Sequence, residues 1–478
     1  MVFMATLPFH TSHLKKFLLT RGATSIASIA SICAALCLLM FFAGPVPAAG
    51  QTGAAVKYEH LLPLSGARAM ASPGMPSRYI GPGSCSATAC HGGVQPQKTT
   101  SVLQNEYSTW VVQDKHSRSF TVLSNPVSKR IARILGLPAP NTAPRCLACH
   151  SLNVTSPEKG REFAINEGVS CESCHGPASA WLGPHVEHSW PHEKSVALGM
   201  YDTKNLISRT EKCLTCHLGT PEKKVDHELI AAGHPDLVFE LDSFQAVEPR
   251  HWIEKTSDPL FGVRAWSVGQ AVQLKEGLNR LARNAKGPVW PEYAELDCFT
   301  CHHSLTDPSK SWRQEIGYHN RRPGNPPWNA SRYVVFRHLV ETVSPDNSRR
   351  LDDSLAKVEM LVAQLNPNKE ELAKAAEQGA DVAGQISRQL NSMSMQREQT
   401  LRLMRDISAD ADNISRQGER VAEQAAMALD SLYIASHGGA AGGARSAING
   451  LFQQLENPSA YNPHQFAAQM RKVNAGIR

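Results

Sequence analysis

Aromatic residues make up only 6% of this 478-residue chain. Large aromatic side chains carry much of the buried area in ordinary cores, so so few of them exclude a large conventional core in the cysteine-rich part. Beyond the first fifty residues, no apolar run is long enough to cross a bilayer. No glycine-rich phosphate loop stands out. No basic helix with interleaved aromatics accompanies the formal net charge of +6, so that charge is no argument for nucleic acid. Cysteine is absent beyond Cys301, and the last 135 residues hold only His437 and His464 among histidines.

The first fifty residues are of a different kind. Lys15, Lys16 and Arg21 form a basic start, Ile26 to Ala43 is mostly apolar, and Val46-Pro47-Ala48 offers small residues for cleavage. This pattern is that of an export signal. The apolar run is also long enough to span a bilayer, which leaves an uncleaved N-terminal membrane anchor as the alternative; cleavage is favoured. Cys33 and Cys37 lie inside the run without the small-residue context of a lipoprotein site, and act as apolar residues. The expected location is periplasmic or otherwise exported.

Ten of the 12 cysteines fall in five paired motifs, each followed directly by histidine. Four are C-x-x-C-H: Cys146 and Cys149 with His150, Cys171 and Cys174 with His175, Cys213 and Cys216 with His217, and Cys298 and Cys301 with His302. The fifth, Cys85-Ser-Ala-Thr-Ala-Cys90-His91, has a longer spacer. At these residue frequencies roughly 0.01 matches would arise by chance. A zinc ribbon needs no histidine after every second cysteine, and a disulfide framework leaves all five histidines unexplained. The pattern is that of covalent haem c: two thioethers to the porphyrin, with the adjacent histidine as proximal iron ligand. Five covalent haems are expected, the Cys85 site being the one where a disulfide or an empty site competes. Ten propionates and five ferric cores, with the signal removed, bring the net charge to about −2 oxidised and about −7 reduced.

Four segments follow: a signal or anchor (1–49), a Gly-, Ala-, Pro- and Ser-rich linker (50–83), a pentahaem domain (84–343) and a helical C-terminal domain (344–478). The expected fold is mainly α, with short helices and loops wrapped round stacked haems and a C-terminal helical bundle or hairpin. Porphyrin is expected to supply much of the interior of the second-last segment, which should not fold without it. Ser344-Pro345-Asp346 signals a helix start, and Leu351, Leu355, Val358, Val362 and Leu365 keep helical spacing. A second helix is expected from Asn366-Pro367 and a third from about Gln396 to Ala435, followed by a glycine-rich break and two short helices. Met360 and the later methionines are expected in that core. The plain reading of the tail is a packed appendage; the sharper one is an oligomerisation or complex-forming surface.

A haem with histidine on both faces mainly transfers electrons, whereas an open axial position permits small-molecule chemistry. Ten histidines between Ser84 and Val343 lie outside the motifs, enough for five distal ligands. His116, His185, His227, His234 and His251 are the candidates. His188 and His192 compete with His185. His303 directly follows a proximal ligand and points elsewhere, while His319 and His338 are expected to be structural. Met200 is the only methionine of the haem region and is expected to pack. No C-x-x-C-K occurs, so the lysine-ligated haem of pentahaem nitrite reductases is missing. Redox partner proteins of unknown identity are implied, with electron carriage favoured over catalysis.

From Cys85 to Trp328 the chain resembles the cytochrome c-554-like multihaem cytochromes, in a long planctomycete-type form with a helical C-terminal extension. The strings "CSATACHGG", "CHGPA", "VDHELIAAGHP", "PRHW" and "ELDCFTCHHSL" carry the resemblance. It implies stacked porphyrins, mostly bis-histidine ligation and periplasmic electron transfer, in some relatives serving nitrogen-compound oxidation. His116, His185, His227 and His234 fall where that pattern places histidines. The longer first spacer and the fifth motif depart from it. Some members keep one haem five-coordinate, which leaves open an oxidoreductase acting on a small nitrogen or sulfur compound. A pyridine haemochrome assay should return five haems per chain; a count of four would show the Cys85 site to be empty.

Overall fold

Proline and glycine cut the first half of the chain into short helices. The computed structural model describes residues 77–98, 102–155, 158–254, 256–298, 301–302, 327–439 and 442–477. The signal or anchor, nearly all of the linker, His303 and His319 lie outside the described residues. In order come α1 (Glu106–Gln113), α2 (Pro126–Ile134), α3 (Pro144–His150), α4 (Cys171–His175), α5 (His192–Ala197), α6 (Leu206–His217), α7 (His227–Ala231) and α8 (Leu241–Val247). Their starts follow local chemistry. Pro126 and Pro144 open α2 and α3, where a missing N–H costs nothing. Asn125, Asn205 and Asp226 cap α2, α6 and α7 by accepting first-turn N–H bonds, as with Ser128 at 2.7 Å and Leu229 at 3.0 Å. Among the described residues only two isolated β-bridges occur, Tyr79 with Lys159 and Leu296 with Trp328. The fold is mainly α.

The second half is built on α9 (Phe261–Lys286), a 26-residue helix. Its sequence is free of proline from Gly262 to Gly287 and buries residues on nearly every side, including Trp266, Leu274, Leu278 and Leu281. Around it follow α10 (Ser331–Val334), α11 (Arg337–Val343), α12 (Pro345–Val362), α13 (Lys369–Ser392), α14 (Arg397–Ala409), α15 (Ala411–Arg416), α16 (Glu419–His437), α17 (Gly443–Gln454) and α18 (Pro463–Gly476). α9 lies chiefly along α13 and also touches α6, α8 and α16. Gly269 lets α8 approach it: a Cβ there would sit 2.6 Å from Leu241 Cβ. The buried amides of Gln273 and Gln424 both donate to the Phe239 carbonyl, at 3.1 and 3.2 Å, which satisfies those two donors inside the core.

One apolar cluster runs from Leu206 to Ile477. The side-chain core therefore starts well before Val343, where the sequence changes character. The interval between the fourth and fifth motifs is the longest in the chain, and it has room for a helix that packs by itself. Upstream of Leu206 the buried apolar residues are few and dispersed, with Trp110, Leu123, Leu147 and Trp181 among them. A second, small cluster joins Ile131 of α2 to Leu229 and Ala232.

The tail departs from expectation in three places. Leu365 lies beyond the end of α12 and is exposed, as is Met360, whereas Met404, Met427 and Met470 are buried. The second helix starts at Lys369, capped by Asn368, rather than at Asn366. The single helix expected from Gln396 to Ala435 is three, broken at Asp410 and at Gly418, whose φ of 109° favours glycine. Ile407, Ile414 and Val421 stay buried at seven-residue spacing through both breaks. That is why periodicity alone does not reveal them. His338 is structural, its Nε2 3.1 Å from Asp410 Oδ2. No helix among the described residues is long and apolar enough to cross a membrane.

At the start of α16, Glu419 and Glu423 share surroundings with Asp236 and Arg420, which pair with each other. Burial, then the charges of Glu419 and Asp236, push the Glu423 carboxyl up to about 8; burial pushes Glu419 up to about 7. A carboxyl raised on folding keeps its proton in the native state while the unfolded chain has lost it. Stability must therefore fall as pH rises from the ordinary carboxyl range, near 4.3, toward 8. Denaturant titrations from pH 5 to 9 should show this fall, and Glu423→Gln should flatten it, with little effect at pH 5. Leu278→Ala should cost about 2–5 kcal/mol of stability at the α9–α13 contact, read as a lowered denaturation midpoint at unchanged haem content.

Candidate haem sites

A helical turn explains the C-x-x-C-H spacing. Residues i, i+3 and i+4 share one face of a helix, so in α3, α4 and α6 both thiols and the histidine project together at the C-terminal end. The longer first motif reaches a similar end by a bulged turn. Its spacer folds back through Cys90 N–H to the Ala87 carbonyl at 2.8 Å, and His91 N–H returns to the Cys85 carbonyl at 3.2 Å. In the last motif Cys301 and His302 both donate to the Cys298 carbonyl, at 3.2 and 2.9 Å. All ten motif cysteines are free thiols. Two pairs of motifs adjoin: Cys85 neighbours Cys171, and Cys149 neighbours Cys216.

Four motif histidines each face a histidine from elsewhere in the chain. The ring centroids lie 6.2 Å apart for His91 and His185, 6.3 Å for His217 and His116, 6.4 Å for His150 and His234, and 6.2 Å for His302 and His227. An imidazole nitrogen bonds a metal at about 2.0–2.1 Å, so two imidazoles on opposite sides of one metal ion have centroids roughly 6.3 Å apart. Of the five expected distal histidines, His116, His185, His227 and His234 are thus brought opposite a motif histidine. His251 is not. Its ring lies against Trp252, centroids 5.0 Å apart, and among the described residues His175 has no histidine ring facing it. His251 is still near: after burial, its charge is the leading influence on His175. His188 is exposed, and His192 is held through Nε2 by Asp202 at 3.0 Å.

Most of the paired rings are anchored through Nδ1, which leaves Nε2 for the facing side. His91 Nδ1 meets Glu106 Oε2 at 2.9 Å, and His116 Nδ1 meets Asp114 Oδ1 at 3.0 Å. Backbone carbonyls take the others: Ser119 holds His150 at 3.0 Å, Leu182 holds His185 at 2.5 Å, and Pro235 holds His234 at 2.8 Å. Asp114, His116 and Glu248 have side-chain atoms within 4.8 Å of one another. Because that nitrogen of His116 is committed to Asp114 and the ring faces His217, the cluster serves as an imidazole anchor. These anchors are absent from the sequence analysis. Asp114 was legible from its place two residues before His116, but nothing in the linear order ties Glu106 to His91 or Ser119 to His150.

The electrostatics divide these histidines, favouring the neutral ring at His175, His217 and His234 and the protonated ring at His91 and His116. Burial pushes His175 and His217 down to about 4, and lowers His234 against the opposing Pro235 carbonyl. The bond to Glu106 raises His91. At His116, burial acts downward but the Asp114 carboxylate outweighs it. Arg130 adds a second sign of fit. Its buried Nε has no hydrogen-bond partner, and its Nη2 lies 3.2 Å from where a Cβ on Gly233, beside His234, would sit. A carboxylate such as a haem propionate satisfies a buried guanidinium of this kind.

A family model described as "Cytochrome c554 and c-prime" matches residues 85–176, which take in the first three motifs and α1 to α4. No curated protein and no solved structure matches the chain. Paired thiols followed by histidine, four facing histidine pairs and this match agree on one cofactor chemistry, covalent haem c. Over residues 85–176 the chain is similar to the cytochrome c554 family, and this likeness supports a c-type cytochrome in electron transfer.

Proposed function

We propose that this chain is an exported pentahaem electron carrier with histidine on both axial faces of its haems. The observation that supports it most is the set of four histidine pairs at 6.2–6.4 Å, each joining a motif to a residue outside it. Cys85 and Cys90, Cys146 and Cys149, Cys171 and Cys174, Cys213 and Cys216, and Cys298 and Cys301 would tether the five groups. Haem c, when bound, supplies reversible one-electron exchange. The chain's residues do the rest. The facing imidazoles of the four pairs would hold the iron between them and keep small molecules from those four sites. Nδ1 anchors hold five of the eight paired rings, His91, His116, His150, His185 and His234, in one orientation and tautomer. The neighbouring thiols of Cys85 and Cys171, and of Cys149 and Cys216, support a first site beside the third and a second beside the fourth, an arrangement suited to a relay of single electrons. The signal-like first segment supports a periplasmic location, where donor and acceptor proteins would meet the carrier.

His251 is the distal ligand assigned to His175. A second reading keeps that position open for a small nitrogen or sulfur compound, because His175 faces no histidine ring among the described residues. Electron paramagnetic resonance of the oxidised protein separates the two. Five low-spin ferric haems are expected; a high-spin share near one in five would establish the open site. His234→Ala should convert one haem to high spin and make the reduced protein bind carbon monoxide at that one site, with the other haems unchanged.

A further inference from the structure

Glu172 lies between the two cysteines of the third motif, on α4, and is only 2% exposed. A carboxylate this deep is costly unless hydrogen bonds satisfy it. Here backbone N–H groups do so. Ile80 and Ala178 donate to Oε1 at 3.0 and 2.8 Å, and Gly81 donates to Oε2 at 2.8 Å. No ion pair involves Glu172 among the described residues, so the side chain holds backbone and not a cation. Its bonds join three separate stretches: the lead-in to the first motif, α4 itself and the loop that follows α4.

Both arms of this contact end at the first site. On one arm the Gly81 carbonyl accepts from Ser84 N–H at 3.1 Å, in the short turn Pro82–Cys85 that delivers Cys85. The Cys85 carbonyl in turn accepts from His91 N–H at 3.2 Å. On the other arm the Ala178 carbonyl accepts from Leu182 N–H at 2.8 Å, and the Leu182 carbonyl holds His185 Nδ1 at 2.5 Å. Ala178 and Trp181 are buried, and Trp181 sets its ring edge-on to His185, centroids 5.5 Å apart. His91 and His185 then face each other at 6.2 Å. The first motif has no α-helix of its own to hold it, so bonds from outside carry its placement.

Resting on the reading of His91 and His185 as the axial ligands of one haem, we propose that Glu172 of the third motif is the positioning residue of the first site. One carboxylate fixes both the stretch that carries Cys85 and His91 and the loop that carries His185. A ligand shell is held in place by such outer hydrogen bonds, and loosens when they are lost. Without Glu172 the loop loses the bond at Ala178 that starts its turn, and the His185 ring is free to leave its place opposite His91. The first site is thus completed by a residue of its neighbour, and the two are built as one unit.

The test uses the fully haem-loaded chain, read by electron paramagnetic resonance when oxidised and by carbon monoxide binding when reduced. Glu172→Ala should turn one further haem per chain high-spin and add one carbon monoxide site, with the other haems and the haemochrome count unchanged. His185→Ala should give the same change. Glu172→Ala/His185→Ala should give no more than either alone, because both act at one site. Glu172→Gln keeps the shape and one acceptor oxygen, and should give the change in a smaller share of molecules. It decides the matter if the alanine variant yields no folded holoprotein. A wild-type spectrum in Glu172→Ala overturns the proposal, as does one in Glu172→Gln where the alanine variant does not fold. Low-spin signal lost across several haems also overturns it, since Glu172 would then be a general packing residue. So does a double variant with two new high-spin haems. His185→Ala separates the two levels: if it changes the spectrum and Glu172→Ala does not, the positioning role alone fails. If it leaves the spectrum as in wild type, the axial reading of the pair fails, and the positioning role with it.

Discussion

The placement of one histidine ring opposite another is the constraint on which the first half of this protein depends. His91 faces His185 and His116 faces His217, each across about a hundred residues of chain or nearly so, and His150 faces His234. These contacts join segments that share little apolar core. Five of the eight facing rings also arrive with one nitrogen already committed, to Glu106, Asp114 and three backbone carbonyls. A ring held in one tautomer loses little freedom when its other nitrogen binds.

The two halves solve the burial problem differently. From Leu206 onward, aliphatic and small side chains on long helices pack into one cluster around α9. Before Leu206, helices of five to nine residues are too short to be stable alone, and they share no such cluster. Their interior is where covalent porphyrins would lie. The long helix α9 falls between the fourth and fifth motifs and belongs to the packed half. It carries the regular bundle into the haem-bearing part of the chain, giving the fourth motif, on α6, a rigid neighbour.

Much of this was legible in the residues. The C-x-x-C-H spacing identifies the attachment points because helix geometry alone aligns residues i, i+3 and i+4. Leu351, Leu355, Val358 and Val362 mark α12 because burial on one side of a helix imposes a period. Helix breaks were not legible where the chain resumes in phase, as between Ile407, Ile414 and Val421. Nor was α9, which is buried on almost all sides and so shows little amphipathic contrast. Its only linear sign is a long interval without proline.

The linear order by itself determined the paired-thiol and histidine motifs, the supply of candidate distal histidines and the mainly helical fold, because each depends on residues close together in the chain. Only the tertiary structure decided which histidine meets which. That choice also separates His227 and His234: seven residues apart, they face different motifs, His302 and His150. Pairing across a metal site is set by where distant segments cross. No local spacing records that crossing, and neither does it record the anchors behind each ring.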